Sequence, residues 1–164
     1  MIRNILDLMI NKLCWVIVSA VPTRTRVIKI KDENYLLRFY IKHSSRTFPG
    51  IYLHYFYRGD AERDLHNHPW SKSISVILSG GYTEERLAEG QSGRANYKVI
   101  KRSIRSGSIN IINGDDFHRV ELTGKPTWTL FTSGKKIKDW GFLLRDSGKY
   151  LQHETYEEYK KNDS

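Results

Sequence analysis

Three histidines carry the most specific chemical pattern in the chain. His66 and His68 stand two apart in DLHNHPW, a run that reads as extended, so their side chains leave the same face of the strand. His118 stands in GDDFHRVEL, a second strand-like run that reaches the first only through long-range sheet pairing. If the three converge, they offer three neutral imidazole nitrogens and leave positions open for water, oxygen or substrate. Such a set binds Fe(II), Zn, Ni or Cu, and imidazole alone does not choose among them. Ordinary hydrogen-bonded strand histidines are the competing reading. Asp64, two residues before His66, shares its face in a straight strand and is a candidate carboxylate for the site, either as a ligand or as an acceptor that orients an imidazole. It reads equally as a solvent-facing partner of Arg63. In IYLHYFY, Tyr52 and His54 fall on one face and are candidates for moving a proton or positioning a substrate, with a satisfied core histidine as the alternative.

These residues need a scaffold, and the hydrophobic periodicity supplies one. Residues 24–31, 35–42, 51–57, 97–104, 108–112, 118–122, 127–132 and 140–144 all read as short strands. Residues 73–87 read as one long strand bent at Gly80 and Gly81, and 88–96 as a polar loop. Asp32, Glu33 and Asn34 predict one turn, and Phe48, Pro49 and Gly50 another. Many short strands with turn signals between them favour an all-β sandwich or barrel over an α/β fold. The two ends differ. Ile2, Ile5, Leu6, Met9, Leu13, Val16 and Ala20 recur at steps of mostly three and four, which predicts an amphipathic helix over about 2–21, ended by Pro22 and docked on the domain by that face. Residues 151–161 predict a short, polar surface helix. With no internal repeat and no linker, 1–164 reads as one domain with its barrel over about 24–145.

Charge and cysteine usage narrow the partners. The 164 residues carry a formal charge of +9, with nine basic against three acidic residues over 1–49 and seven against three over 91–128. Residues 50–90, which hold the histidine pair, carry four against six. A basic surface around a less basic site suits a small and anionic ligand. No basic tract is interleaved with aromatic residues at a readable period, so nucleic acid is not an expected partner. A single cysteine, Cys14, excludes an internal disulfide. The apolar run over 13–21 is shorter than a membrane span, which needs roughly 20 apolar residues, and Asp7 interrupts the start of a would-be signal peptide. A cytoplasmic protein without a membrane partner is the expectation.

The motifs resemble those of the cupin superfamily. Gly59, His66, His68 and Gly80 follow the frame of the first cupin motif with one extra residue after Gly59, and Gly107 and His118 are in register with the second. Ser73 stands where the first motif has its metal-binding glutamate, and Asn113, Asp115 and Leu122 replace the second motif's proline, glycine and asparagine. The resemblance covers about residues 35–145 and implies a jelly-roll β-barrel. It also implies a metal held by His66, His68 and His118, as in the thiol dioxygenases, which hold iron through three histidines and no carboxylate. Two functions follow as expectations. One is a metal-dependent enzyme, a non-haem Fe(II) oxygenase acting on a small, anionic substrate, with His54, Tyr52 or Asp64 handling protons or position. The other is a barrel without catalysis that binds or sequesters a nucleotide or sugar phosphate. Cupin-like barrels often pair, so the resemblance also implies a homodimer.

Overall fold

The structure is a computed structural model that describes residues 2–20, 24–30, 33–45, 49–60 and 63–162. Pro22, Asp32 and Phe48, expected to end the first helix and to help form the first two turns, lie outside the described residues. A long helix α1 (Ile2–Ala20) precedes β1 (Arg24–Ile30), β2 (Glu33–Lys42), β3 (Gly50–Phe56), β4 (Leu65–His66), β5 (Lys72–Ser79) and β6 (Gly81–Leu87). Then come β7 (Val99–Arg105), β8 (Ile109–Asn113), β9 (His118–Leu122), β10 (Thr127–Ser133), β11 (Gly141–Leu143), β12 (Tyr150–Gln152) and α2 (His153–Asn162).

The strands form two six-stranded sheets, ordered β1-β2-β3-β10-β5-β8 and β12-β11-β4-β9-β6-β7. Alternation in the sequence becomes inside and outside here: Ser73, Ser75, Ile77 and Ser79 of β5 are buried while the residues between them are less so. Across the interior, Ile77 of the first sheet packs with Tyr82, Ile104 and Val120 of the second. The expected long strand over 73–87 is in fact two strands in different sheets, and the glycines are the corner where the chain crosses. Gly80 has φ +77°, and a Cβ there would lie 2.7 Å from the Pro126 carbonyl oxygen and from Thr127 Oγ1. Only glycine is both conformationally free and small enough at that position. Thr127 Oγ1 also accepts from the Gly81 amide at 3.0 Å, which ties the corner to β10.

Helix α1 lies on the outer face of the first sheet, but not by the face the periodicity predicts. Ile10, Cys14 and Val18 pack on Phe39, Leu53 and Trp128. Asn11 Oδ1 accepts from the Trp128 indole at 2.7 Å, and the Trp15 ring meets the rings of Tyr55 and Trp128 edge-on at 5.1 and 5.2 Å. The reason is chemical. Trp128 is completely buried, its N–H needs an acceptor, and the mixed face of the helix brings Asn11 to it and the small Cys14 to the sheet. Ile5, Leu6, Met9, Leu13 and Val16, expected to dock, point outward and are more than half exposed.

The C-terminal helix is not purely a surface element either. Residues 150–152 add β12 to the second sheet, and the buried Tyr156 of α2 stacks on Phe142 with ring centroids 3.8 Å apart. No helix of the described residues is long and apolar enough to cross a membrane.

Candidate metal centre

The three histidines converge. Strand β4 is only two residues long and pairs β9 with His66 directly opposite His118. The extended run predicted through His68 ends at His66, yet both imidazoles still reach one centre because Asn67 anchors the stretch between them. Its amide donates to the Gly141 carbonyl at 3.1 Å and its Oδ1 accepts from the Gly141 amide at 2.9 Å. Ring centroids are 4.8 Å apart for His66 and His118, 5.0 Å for His68 and His118, and 5.3 Å for His66 and His68. One ring nitrogen from each lies within 4.8 Å of the others, and the Nε2 atoms of His68 and His118 are 2.8 Å apart.

Behind His118 stands a carboxylate that the motif positions do not indicate. Glu84 of β6 is fully buried, and its Oε1 lies 2.9 Å from His118 Nδ1. That contact puts the His118 proton on Nδ1 and turns a lone pair of Nε2 toward His68. Asn110 Nδ2 at 2.9 Å and Arg86 Nη2 at 3.0 and 3.2 Å hold the carboxylate in turn. Burial alone would raise the Glu84 pKa, but the hydrogen bonds from His118, Asn110 and Arg86 bring it down to about 2. Asp60 plays a looser part at His66, with Oδ2 3.8 Å from Nδ1. It is fixed by the Tyr35 hydroxyl at 2.7 Å and the Val120 amide at 2.6 Å.

The electrostatics keep His66 and His68 neutral. Burial lowers the His66 pKa to about 4, opposed by Asp60 and aided by His118. Burial also takes His68 well below the usual histidine value, helped by His118, His66 and the Arg38 charge. The donor set fits a divalent metal on one observation above all. Two ring nitrogens face each other at 2.8 Å, and Glu84 makes one of them an acceptor, so the other must either hold a proton or share a cation with it.

The remaining candidates divide. Asp64 is not brought to the histidines. Its Oδ1 accepts from the Arg145 amide at 2.8 Å and its Oδ2 from the Tyr156 hydroxyl at 3.0 Å, so it pins α2 to the barrel. Tyr52 and His54 do face the interior and are buried. His54 Nε2 accepts from Arg38 Nε at 3.0 Å, and burial followed by the Arg38 charge takes the His54 pKa well below its usual value. Phe131 links the two groups, its ring centroid 5.1 Å from that of His54 and 6.4 Å from that of His68. The Arg38 guanidinium lies over the Tyr52 ring at 5.1 Å. Ser73 points inside, and its Oγ is buried without a protein hydrogen-bond partner, as are Ser133 Oγ and Thr129 Oγ1.

Arg38, Asp60, Glu84 and Asn110 are not among the candidates that the sequence indicates.

No protein-family model and no curated protein matches the chain. Solved structures match it in shape. One is Fe(II)-HppE with the alternative substrate (S)-1-HPP, at TM-score 0.53 and 6% identity over 68% of this chain and 56% of that one. Another is hydroxypropylphosphonic acid epoxidase from S. wedmorenis, at TM-score 0.50 and 8% identity over 70% of this chain and 60% of that one. The chain thus spans just over half the length of the first of these. Two facing antiparallel sheets with this topology are a jelly-roll β-barrel, the fold that the cupin resemblance implies.

Proposed function

We propose that this cupin-fold chain is a metal-dependent oxidoreductase, a non-haem Fe(II) oxygenase that acts on a small anionic molecule inside the barrel. The observation that carries the reading is the 2.8 Å approach of His68 Nε2 to a His118 Nε2 whose tautomer is locked by buried Glu84. His66, His68 and His118 would hold the metal, and as neutral donors they leave its charge uncompensated, which favours an anionic partner beside it. Bound there, a redox-active divalent ion supplies Lewis acidity and one-electron chemistry with dioxygen. Fe(II) is favoured because the shape neighbour HppE is an Fe(II) protein, with Zn and Ni as the other ions the donor set accepts.

The chain's own residues have separable tasks. Glu84 orients His118 and Asp60 biases His66, so the donors are set before any ligand arrives. Arg38 carries a permanent charge whose field reaches His68, and it is the interior cation for a substrate carboxylate or phosphonate. His54 stays neutral and holds Arg38 through Nε2, which assigns its proton to Nδ1. Tyr52 lies under the same guanidinium. The hydroxyls of Ser73, Thr129 and Ser133 are available to hydrogen-bond a polar substrate, while Phe131 and Trp70 wall His68 with apolar surface that excludes water.

The test is oxygen uptake by the Fe(II)-loaded protein against a panel of small thiols, 2-hydroxy acids and phosphonates. Uptake that depends on substrate and is lost in His118→Ala supports the oxygenase. Binding of the same anions without uptake, undiminished by chelation, would replace it with the non-catalytic barrel.

A further inference from the structure

The outward face of α1 has no counterpart in the oxygenase reading. On an α-helix, residues three and four apart share a face. Asp7, Asn11, Cys14 and Val18 form the face laid against the barrel, where Asn11 meets Trp128 and Asp7 Oδ1 is buried. The opposite face is Ile5, Leu6, Met9, Leu13, Val16 and Ile17, exposed by 47% at Ile17 and 64% at Val16. The helix therefore lays a mixed face, with Ile10 and Val18 beside Asp7 and Asn11, on the protein and turns its more continuous apolar stripe outward, the reverse of a helix that has only the barrel to cover.

The stripe runs on into the sheet below it. In β5, Ser73 and Ser75 point into the barrel, so Lys72, Ile74 and Val76 point to the side on which α1 lies. Their register partners on the edge strand β8, Ile111 and Ile109, share that side and are 48% and 61% exposed. Helix and edge strand thus both leave large apolar side chains exposed on this side of the first sheet, where an ordinary monomer exposes them singly.

The charges decide what covers it. The one carboxylate of α1, Asp7, faces inward, while Lys12, one turn from both Leu8 and Val16, is exposed. Lys72 is exposed at the sheet end of the same side. A two-fold pairing of this face would bring Lys12 and Lys72 of both copies into one interface with no acidic group of α1 to answer them. An apolar stripe with a cationic flank is what lies in the plane of an anionic bilayer surface.

We propose that the outward face of α1 is a docking surface for anionic phospholipid, holding the barrel at a membrane surface without crossing it. The sequence expectation of no membrane partner assumed that this stripe was spent on the barrel.

The experiment is flotation of the full chain with vesicles of phosphatidylcholine alone and of phosphatidylcholine mixed with phosphatidylglycerol, at low and high salt. The expected result is binding to the mixed vesicles that weakens with salt. Lys12→Glu should weaken it at least about fivefold, and Val16→Asp should abolish it while leaving the thermal melt and metal content unchanged. Because Val16 touches solvent rather than core, loss of folding is not expected from that change, and the melt verifies it. Wild-type protein that stays with the aqueous phase, or Val16→Asp protein that floats like wild type, overturns the proposal. A stable dimer that Val16→Asp dissociates, without vesicle binding, would give the surface to a second copy and overturn it as well.

Discussion

Replacing Glu84 by glutamine separates the charge behind the metal centre from its shape. Oε1 of Glu84 accepts from His118 Nδ1, Asn110 Nδ2 and Arg86 Nη2, and Oε2 accepts a second contact from Arg86 Nη2. A glutamine keeps one carbonyl acceptor and puts an N–H donor where Arg86 already donates. The carboxyl pKa, brought from 4.5 to about 2, measures what the fold gains from the ionised form. Two and a half units correspond to about 3 kcal/mol. Because the folded value is depressed, that stability is present above pH 4.5 and is lost as pH falls toward about 2. At neutral pH, Glu84→Gln should therefore cost about 2–3 kcal/mol, read as a thermal midpoint lower by roughly 5–10 °C for a domain of this size. Its metal affinity, measured by chelator competition, should fall about 10–100-fold, because His118 loses the charge that makes it a better donor. An unchanged affinity together with an unchanged melt would refute the role given to Glu84.

Three other outcomes follow from the same structure. Metal-free protein should lose stability as pH falls below 6.5 toward about 4, because unfolded His66 takes up a proton that the buried ring refuses; His54 adds to this with the same sign. Urea unfolding across that range in the wild type and in His66→Gln tests it, and the slope should be shallower in the variant. Asp64→Asn should leave metal content intact while freeing α2, seen as faster proteolysis near residue 145 and a loss of about 1–2 kcal/mol. Arg38→Met should raise the KM or Kd for an anionic substrate by roughly tenfold or more, by loss of a charge-assisted hydrogen bond, without lowering metal content; an unaltered KM would remove Arg38 from the site.

The barrel was legible because its strands alternate, and a period of two needs no tertiary information. The corner at Gly80 was legible only as a bend, since whether the chain stays in one sheet or crosses to the other depends on partners far away in sequence, here Thr127 and Ile104. The three histidines were legible because motif spacing fixed them. Their supports were not, because Glu84, Asn110 and Asp60 reach the centre from β6, β8 and the segment before β4, and nothing local sets a buried carboxylate apart from a solvated one. Asp64 failed as a candidate ligand for a related reason: sharing a strand face with His66 says nothing of the Tyr156 hydroxyl that α2 brings to it. The α1 prediction was right in its element and inverted in its orientation. Periodicity finds an apolar face, but the indole of Trp128 and its need for Asn11 decide which face meets the sheet.

The central claim is that His66, His68 and His118 share one metal ion, and the direct measurement is elemental analysis of protein purified without oxygen and without added metal, beside the His66→Ala/His68→Ala double variant. Near-stoichiometric iron in the wild type, absent from a variant that still folds, is the predicted result. Wild-type protein that is metal-free as isolated, and remains so after incubation with Fe(II), Zn or Ni, would contradict it.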